Sequence, residues 1–183
     1  MHDRIVNGEN MNFFEAVEKR YSHKEGFLPE PVPREHLEKI AHAGLMAPSG
    51  GNAQSVHLVI LPDRAALDPI CKVAPTIGLE TAPAAIALLT DGNTQIGKPY
   101  NFEVEDYSAA CEHILLAATA MGYSTLWLDS PYFEEEKEKA ALSLLNAPEG
   151  FQLWVVIPIG LPDGAGSRRE KQPLSSRLHY IKF

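Results

Sequence analysis

The chain has 183 residues, 45% of them hydrophobic and 22% charged, with a net charge of -8. That hydrophobic content excludes a disordered chain and suits one compact domain spanning 1–183. The acidic balance argues against a general binder of nucleic acid or anionic membrane, because phosphate polymers repel acidic surfaces.

The charge is unevenly spread. Between Ser167 and Phe183, five basic residues (Arg168, Arg169, Lys171, Arg177, Lys182) face Glu170 alone, a local +4 that leaves -12 for the rest. Such a cluster can hold one small phosphate. The two cysteines, Cys71 and Cys111, allow one bridge at most and form no C-x-x-C pair. Cys111 lies in an apolar helical stretch and reads as a buried, inert thiol. Residues 1–10 (MHDRIVNGEN) lack the apolar centre of a secretory signal. They read as a flexible or partner-contacting extension. With no stretch long enough to span a bilayer, the expected location is the cytoplasm.

In chain order, Asn12 to Lys19 reads as a helix with an apolar face of Phe13, Phe14, Ala16 and Val17. Glu25 to Pro33 holds three prolines and a glycine and reads as a loop. Pro33 then opens a second helix, where its missing N–H costs nothing. Its stripe of Leu37, Ile40, Ala41, Gly44 and Leu45 has helical spacing. Pro48 and the double glycine stop it. Val56 to Leu61 is a strand rich in branched residues and ended by Pro62. Asp63 to Val73 is a helix, and Pro83 to Thr90 a nearly all-apolar strand.

Gly92 to Glu105 is polar and long enough for a lid or a substrate wall. Asp106 is placed to cap the next helix, which runs to Met121 and stops at Gly122. Apolar residues lie around most of that helix, so it is buried centrally or against another subunit. Ser124 to Leu128 is a strand, Glu134 to Leu145 a helix, and Leu153 to Gly160 an apolar internal strand. The aromatic tail from Leu178 to Phe183 has no core of its own and docks on the body or on a partner. The pattern fits an α+β or mixed-sheet α/β fold.

Three runs carry chemistry. In Arg20-Tyr21-Ser22-His23-Lys24, alternate residues of an extended segment point one way. Arg20, Ser22 and Lys24 would then face one anionic ligand, with bidentate, hydroxyl and point-charge donors. Alone, the run reads as helix C-terminal charge complementing the dipole. In Pro48-Ser49-Gly50-Gly51-Asn52-Ala53-Gln54, glycines let the backbone approach a ligand. The two amides suit a heterocycle with alternating C=O and N–H edges. Alone, this run reads as a helix cap and turn. Arg169 and Lys171 flank Glu170 at a spacing that sends both cations to one side, and alone they read as a solvated tail. His36 and His42 share no helix face, so no metal site is expected there. His57 reads as a packing or partly exposed strand residue. There is no G-x-G-x-x-G after a strand, no Walker loop and no H-E-x-x-H.

Taken in order, these elements resemble the FMN-dependent nitroreductase-like flavoprotein family. Its R-[RH]-S-x-[RK] pattern stands here as Arg20-Tyr21-Ser22-His23-Lys24. Its P-S-x-x-N-x-Q-P-W pattern stands as Pro48-Ser49-Gly50-Gly51-Asn52-Ala53-Gln54-Ser55-Val56, with Ser55-Val56 in place of Pro-Trp. A buried helix ending in glycine, followed by a short strand and loop, matches Asp106 to Ser130. Pro158-Ile159-Gly160 matches P-x-G, and Arg169-Glu170-Lys171-Gln172-Pro173-Leu174 matches R-x-K-x-P-L.

The resemblance implies a mixed, mainly antiparallel central sheet flanked by helices. It also implies a homodimer, its C-terminal tails contacting the partner and FMN bound at the interface. It implies that Arg20, Ser22, Arg169 and Lys171 hold the phosphate and ribityl end. Tyr21, Pro48, Ser49, Gln54 and Gly160 belong to the same motifs. Lys24 and Asn52 would stand at the pyrimidine edge, where a cation stabilises the negative charge of a reduced ring by about 1–3 kcal/mol. Trp127, Leu128 and Asp129 would lie near the flavin N5. The activity implied is reduction of FMN by NADH or NADPH, then of a nitroaromatic, quinone or similar small acceptor, with no catalytic side chain assigned. Two other readings stand beside it: a flavin-binding sensor or carrier without turnover, and an interaction module whose basic tail meets a protein partner.

Overall fold

The computed structural model describes residues 11–93, 101–129, 132 and 134–181. The expected extension over 1–10 and residues 94–100 of the polar segment from 92 to 105 lie outside those residues. The centre of the fold is a four-stranded sheet in the order β1-β2-β4-β3. Its strands are β1 (Val56–Leu61), β2 (Ala84–Thr90), β3 (Ser124–Thr125) and β4 (Gln152–Gly160). Every ladder is antiparallel. The parallel element is the isolated Ser22–Thr125 bridge, so the run after the first helix lies beside the β3 edge.

β2 is buried along its whole length, and its alternation splits the core in two. Ala84, Ile86 and Leu88 face a cluster built with α2 (Arg34–Leu45) and α5 (Glu103–Ala120). Ala85, Ala87 and Leu89 face a second cluster that includes residues of α3 (Arg64–Val73), α4 (Ile77–Thr81) and α6 (Glu135–Leu144). Helices on both faces explain why β2 and β4 read as apolar runs without alternation.

The helix ends follow from local chemistry. Asn12 and Glu15 form a reciprocal capping box at the start of α1 (Phe13–Lys19). Asp63 caps α3 and Thr76 caps α4. Gly122, at φ +83°, ends α5.

Asp106 is not the cap of α5. The helix starts at Glu103, because Glu103 is held from two sides. Its carboxylate accepts from Thr90 Oγ1 (2.7 Å) and from Asn101 Nδ2 (2.8 Å), while Trp154 Nε1 donates to Thr90 Oγ1 (2.8 Å). These bonds tie the first turn of α5 to the ends of β2 and β4. The apolar face expected for α1 exists, yet it is uncovered: Ala16 is buried, while Phe13 and Phe14 are 64% and 75% exposed. The strand expected over Ser124 to Leu128 shrinks to β3, with a separate bridge from Leu128 to Val156.

Candidate functional site

The first run leaves α1 as an extended segment, so its side chains alternate. His23 is fully buried, whereas Ser22 and Lys24 are exposed. His23 Nε2 lies 2.7 Å from the Gly26 carbonyl, which can only accept, so that nitrogen carries the proton. Nδ1 is left to accept from the Tyr21 hydroxyl at 3.3 Å. With the ring edge-on to Phe27, His23 pins the run to the body and turns Ser22 and Lys24 outward. Arg20 is half-buried, and its Nε pairs with Glu112 of α5 at 3.3 Å.

The C-terminal tail reaches this same place. Arg168 Nη2 donates to the Arg20 carbonyl at 3.2 Å, and its guanidinium lies 5.8 Å from the centre of the Tyr21 ring. A Cβ on Gly166 would sit 2.5 Å from that ring, and its φ of +65° also favours glycine. Arg169 and Lys171, the two tail cations singled out in the sequence, are exposed just beyond this contact.

The loop after β3 closes on the middle of α5. Trp127 Nε1 donates to Asp129 Oδ2 at 3.0 Å, and Tyr107 of α5 lies 6.2 Å from the Trp127 ring. The Cys111 thiol is pushed far up, first by burial, then by the negative charges of Glu112 and Asp129, with Arg20 opposing. One helix face thus senses Arg20, Glu112 and Asp129 together. The thiol stays protonated and is no nucleophile. Leu128 is tied to Val156 through its carbonyl.

The second run forms a tight loop after α2. Gly51, Asn52 and Gln54 all have left-handed φ, at +58°, +58° and +53°. For the two amide residues this costs of order 1 kcal/mol each, strain that persists only where neighbours impose it. The neighbours are Ser49, whose Oγ accepts from the Gln54 N–H at 3.0 Å, and Asp106, which accepts from Gly50 N–H and Ser55 Oγ. The result leaves Pro48, Asn52 and Gln54 exposed. A cleft of about 160 Å³ opens beside the loop, lined by residues that include Pro48, Ser49, Gln54, Asp106 and Ala110. Gly160 lies elsewhere, buried at the end of β4, where a Cβ would meet Pro83 at 2.7 Å.

The predicted residues therefore fall in two groups on one support. Arg20 meets α5 at Glu112 and receives the tail through Arg168, with Tyr21, Ser22 and Lys24 following it in the chain, and the loop from Ser49 to Gln54 meets α5 at Asp106. Sequence reasoning counted Arg168 in the basic cluster without foreseeing its contact with Arg20 and Tyr21, and misassigned Asp106. The signal for Asp106 was present: it sits on the stripe Asp106, Ala110, Ile114, Ala118, and a carboxylate on a buried stripe needs buried donors.

The family model for the nitroreductase family matches residues 17–95. An Archaeoglobus fulgidus protein, named "Putative NADH dehydrogenase/NAD(P)H nitroreductase", is 38% identical over 132 residues, covering 72% of this chain and 75% of that one. The chain belongs to the nitroreductase family. A solved nitroreductase-family relative from Bacteroides thetaiotaomicron, of the same name, superposes with a TM-score of 0.79 at 27% identity, over 93% of this chain and 98% of its own. A solved FMN-dependent nitroreductase from Clostridium difficile shares the fold, with a TM-score of 0.76 at 21% identity over 92% and 98%. This nitroreductase-family chain has no helix among the described residues long and apolar enough to cross a membrane, and no group of three or more potential metal ligands among them.

Proposed function

We propose that the chain is an FMN-dependent NAD(P)H oxidoreductase acting on a small acceptor such as a nitroaromatic or a quinone. The observation that carries this reading is the contact of Arg168 with Arg20 and Tyr21, which sets the basic tail of an acidic protein onto the first run. Glu112 balances Arg20, but the tail brings Arg168, Arg169 and Lys171 beside it, and a phosphate monoester supplies a counter-charge for that excess. The donor set fits FMN. Arg20, Ser22, Arg169 and Lys171 hold the phosphate and ribityl end. Lys24 and Asn52 stand at the pyrimidine edge, with Tyr21, Pro48, Ser49 and Gln54 shaping the walls. Trp127, Leu128 and Asp129 line the ring, and Gly160 fixes the end of β4 behind that loop. When bound, the flavin supplies a centre that takes hydride from NAD(P)H and returns electrons to the acceptor. The chain's own residues bind, orient and shield, and none is assigned a proton.

The working unit of this reading is a homodimer. Phe13, Phe14, Leu174 and Tyr180 are each more than 60% exposed, apolar surface that a second copy would cover. Purified protein should run as a dimer, carry the flavin absorption bands, and bleach when NADH or NADPH is added without oxygen. Colourless protein that stays colourless after FMN addition would sink the proposal. Bound flavin that neither donor reduces would instead favour a sensor or carrier.

A further inference from the structure

The loop that offers Asn52 and Gln54 has three left-handed residues, two of them not glycine. Such a shape does not hold itself. A single carboxylate brackets it. Asp106 Oδ1 accepts from the Gly50 N–H at 2.7 Å, ahead of the left-handed residues. Asp106 Oδ2 accepts from Ser55 Oγ at 2.9 Å, behind them. Asp106 is 4% exposed and Ser55 fully buried, so neither bond is traded readily for water. Gly50 is pressed so close to Phe102, just before α5, that a Cβ would lie 2.5 Å from its ring. The Asp91 N–H also donates to the Ser55 carbonyl at 3.1 Å, which fixes the exit into β1. Ser55 stands where the family pattern has proline. Proline has no hydroxyl, so this chain supplies a donor that the pattern lacks, and a buried acceptor meets it.

We propose that Asp106 is a positioning residue that locks the loop from Ser49 to Gln54 in the shape that presents the Asn52 and Gln54 amides to the flavin. This rests on the FMN reading above. The lock acts through the loop and not on the ring. An amide of the same shape would keep its oxygen for the Gly50 N–H and could donate its NH2 to Ser55 Oγ, so only removal of the side chain breaks both bonds.

The test compares wild type with Asp106→Ala, Ser55→Ala and Asp63→Ala. The last removes the α3 cap, a structural bond away from the loop. FMN affinity is read by flavin fluorescence titration, and the Gly50 amide by hydrogen exchange without flavin. Asp106→Ala should weaken FMN binding on the order of tenfold and speed Gly50 exchange. Ser55→Ala, the milder change, should weaken binding by roughly threefold. Asp63→Ala should lower the melting temperature and leave both readouts in place. Wild-type affinity and exchange in folded Asp106→Ala and Ser55→Ala would overturn the lock while leaving the flavin reading intact. Failure of wild type to bind FMN would overturn the flavin reading and the lock's proposed role with it.

Discussion

Gly44, on the buried side of α2, gives a prediction whose sign reverses with its neighbour. An added Cβ would lie 2.7 Å from Ile114 Cγ1, 2.9 Å from Ile114 Cδ1 and 3.4 Å from the Ala110 carbonyl. Ile114 is fully buried in the cluster between α2, α5 and the sheet, so it has little room to yield. Gly44→Ala gains about 0.5–1 kcal/mol from backbone entropy near a helix end. Overpacking against a fixed side chain costs about 1–3 kcal/mol. The difference spans about 0–2.5 kcal/mol of destabilisation, and its midpoint of about 1 kcal/mol is a fall in melting temperature of roughly 2–5 °C at this chain length. In an Ile114→Ala background both clashing atoms are gone, and the same substitution should stabilise by about 0.5–1 kcal/mol. Urea unfolding of the four proteins measures the coupling. Gly44→Ala stabilising in the parent, or acting equally in both backgrounds, would refute the steric account. Gly44 also lines the cleft beside the loop at Ser49, so the closeness of α2 to α5 sets where that loop begins.

Tyr132 is 1% exposed, and its hydroxyl has no hydrogen-bond partner among the described residues. Tyr132→Phe should raise the urea midpoint, by about 1 kcal/mol of stability, and a loss of that size would show a hidden partner. Burial holds the Cys111 thiol and the Tyr132 phenol above their ordinary ionisation ranges. A raised folded pKa gives stability that is complete below the unfolded value and falls as pH rises above it. Stability should therefore drop from roughly pH 9 upward, and Cys111 alone sets a slope approaching 1.4 kcal/mol per pH unit, about the free-energy equivalent of one pKa unit. Cys111→Ala should flatten the alkaline limb of a urea-midpoint series, and an unchanged limb would assign it to other groups. Arg20→Ala with Lys171→Ala should weaken FMN retention by more than tenfold, because charge-assisted phosphate bonds contribute about 1.5–3 kcal/mol each. Unchanged affinity in the titration would remove both residues from the phosphate site.

The sheet was legible because its strands announce themselves by composition and punctuation. β1 runs from Val56 to Leu61 as expected, stopped by Pro62, and β2 and β4 each begin within one residue of expectation. α4 escaped notice because five residues are too few to show a period. The face of Phe13, Phe14 and Val17 shows the limit of periodicity: it reveals an apolar stripe but not what covers it. The first run was read as an alternating strand, and His23 buried between outward Ser22 and Lys24 bears that out. What no local pattern reveals is a bond between residues more than fifty positions apart, such as Gly50 to Asp106 or Ser55 to Asp106. The tail's anchor is a case of the same kind, since Arg168 meets Arg20 148 positions away.

One helix therefore serves as the ruler between the two halves of the site. Six residues separate the Asp106 tether from the Glu112 tether, about 9 Å along the axis at helical rise. Loops elsewhere can lengthen or shorten as lineages diverge, but one residue gained or lost inside that interval would swing one anchor about 100° around the axis relative to the other. Selection for ligand binding would then act on the length of this stretch more strictly than on the identity of most residues within it.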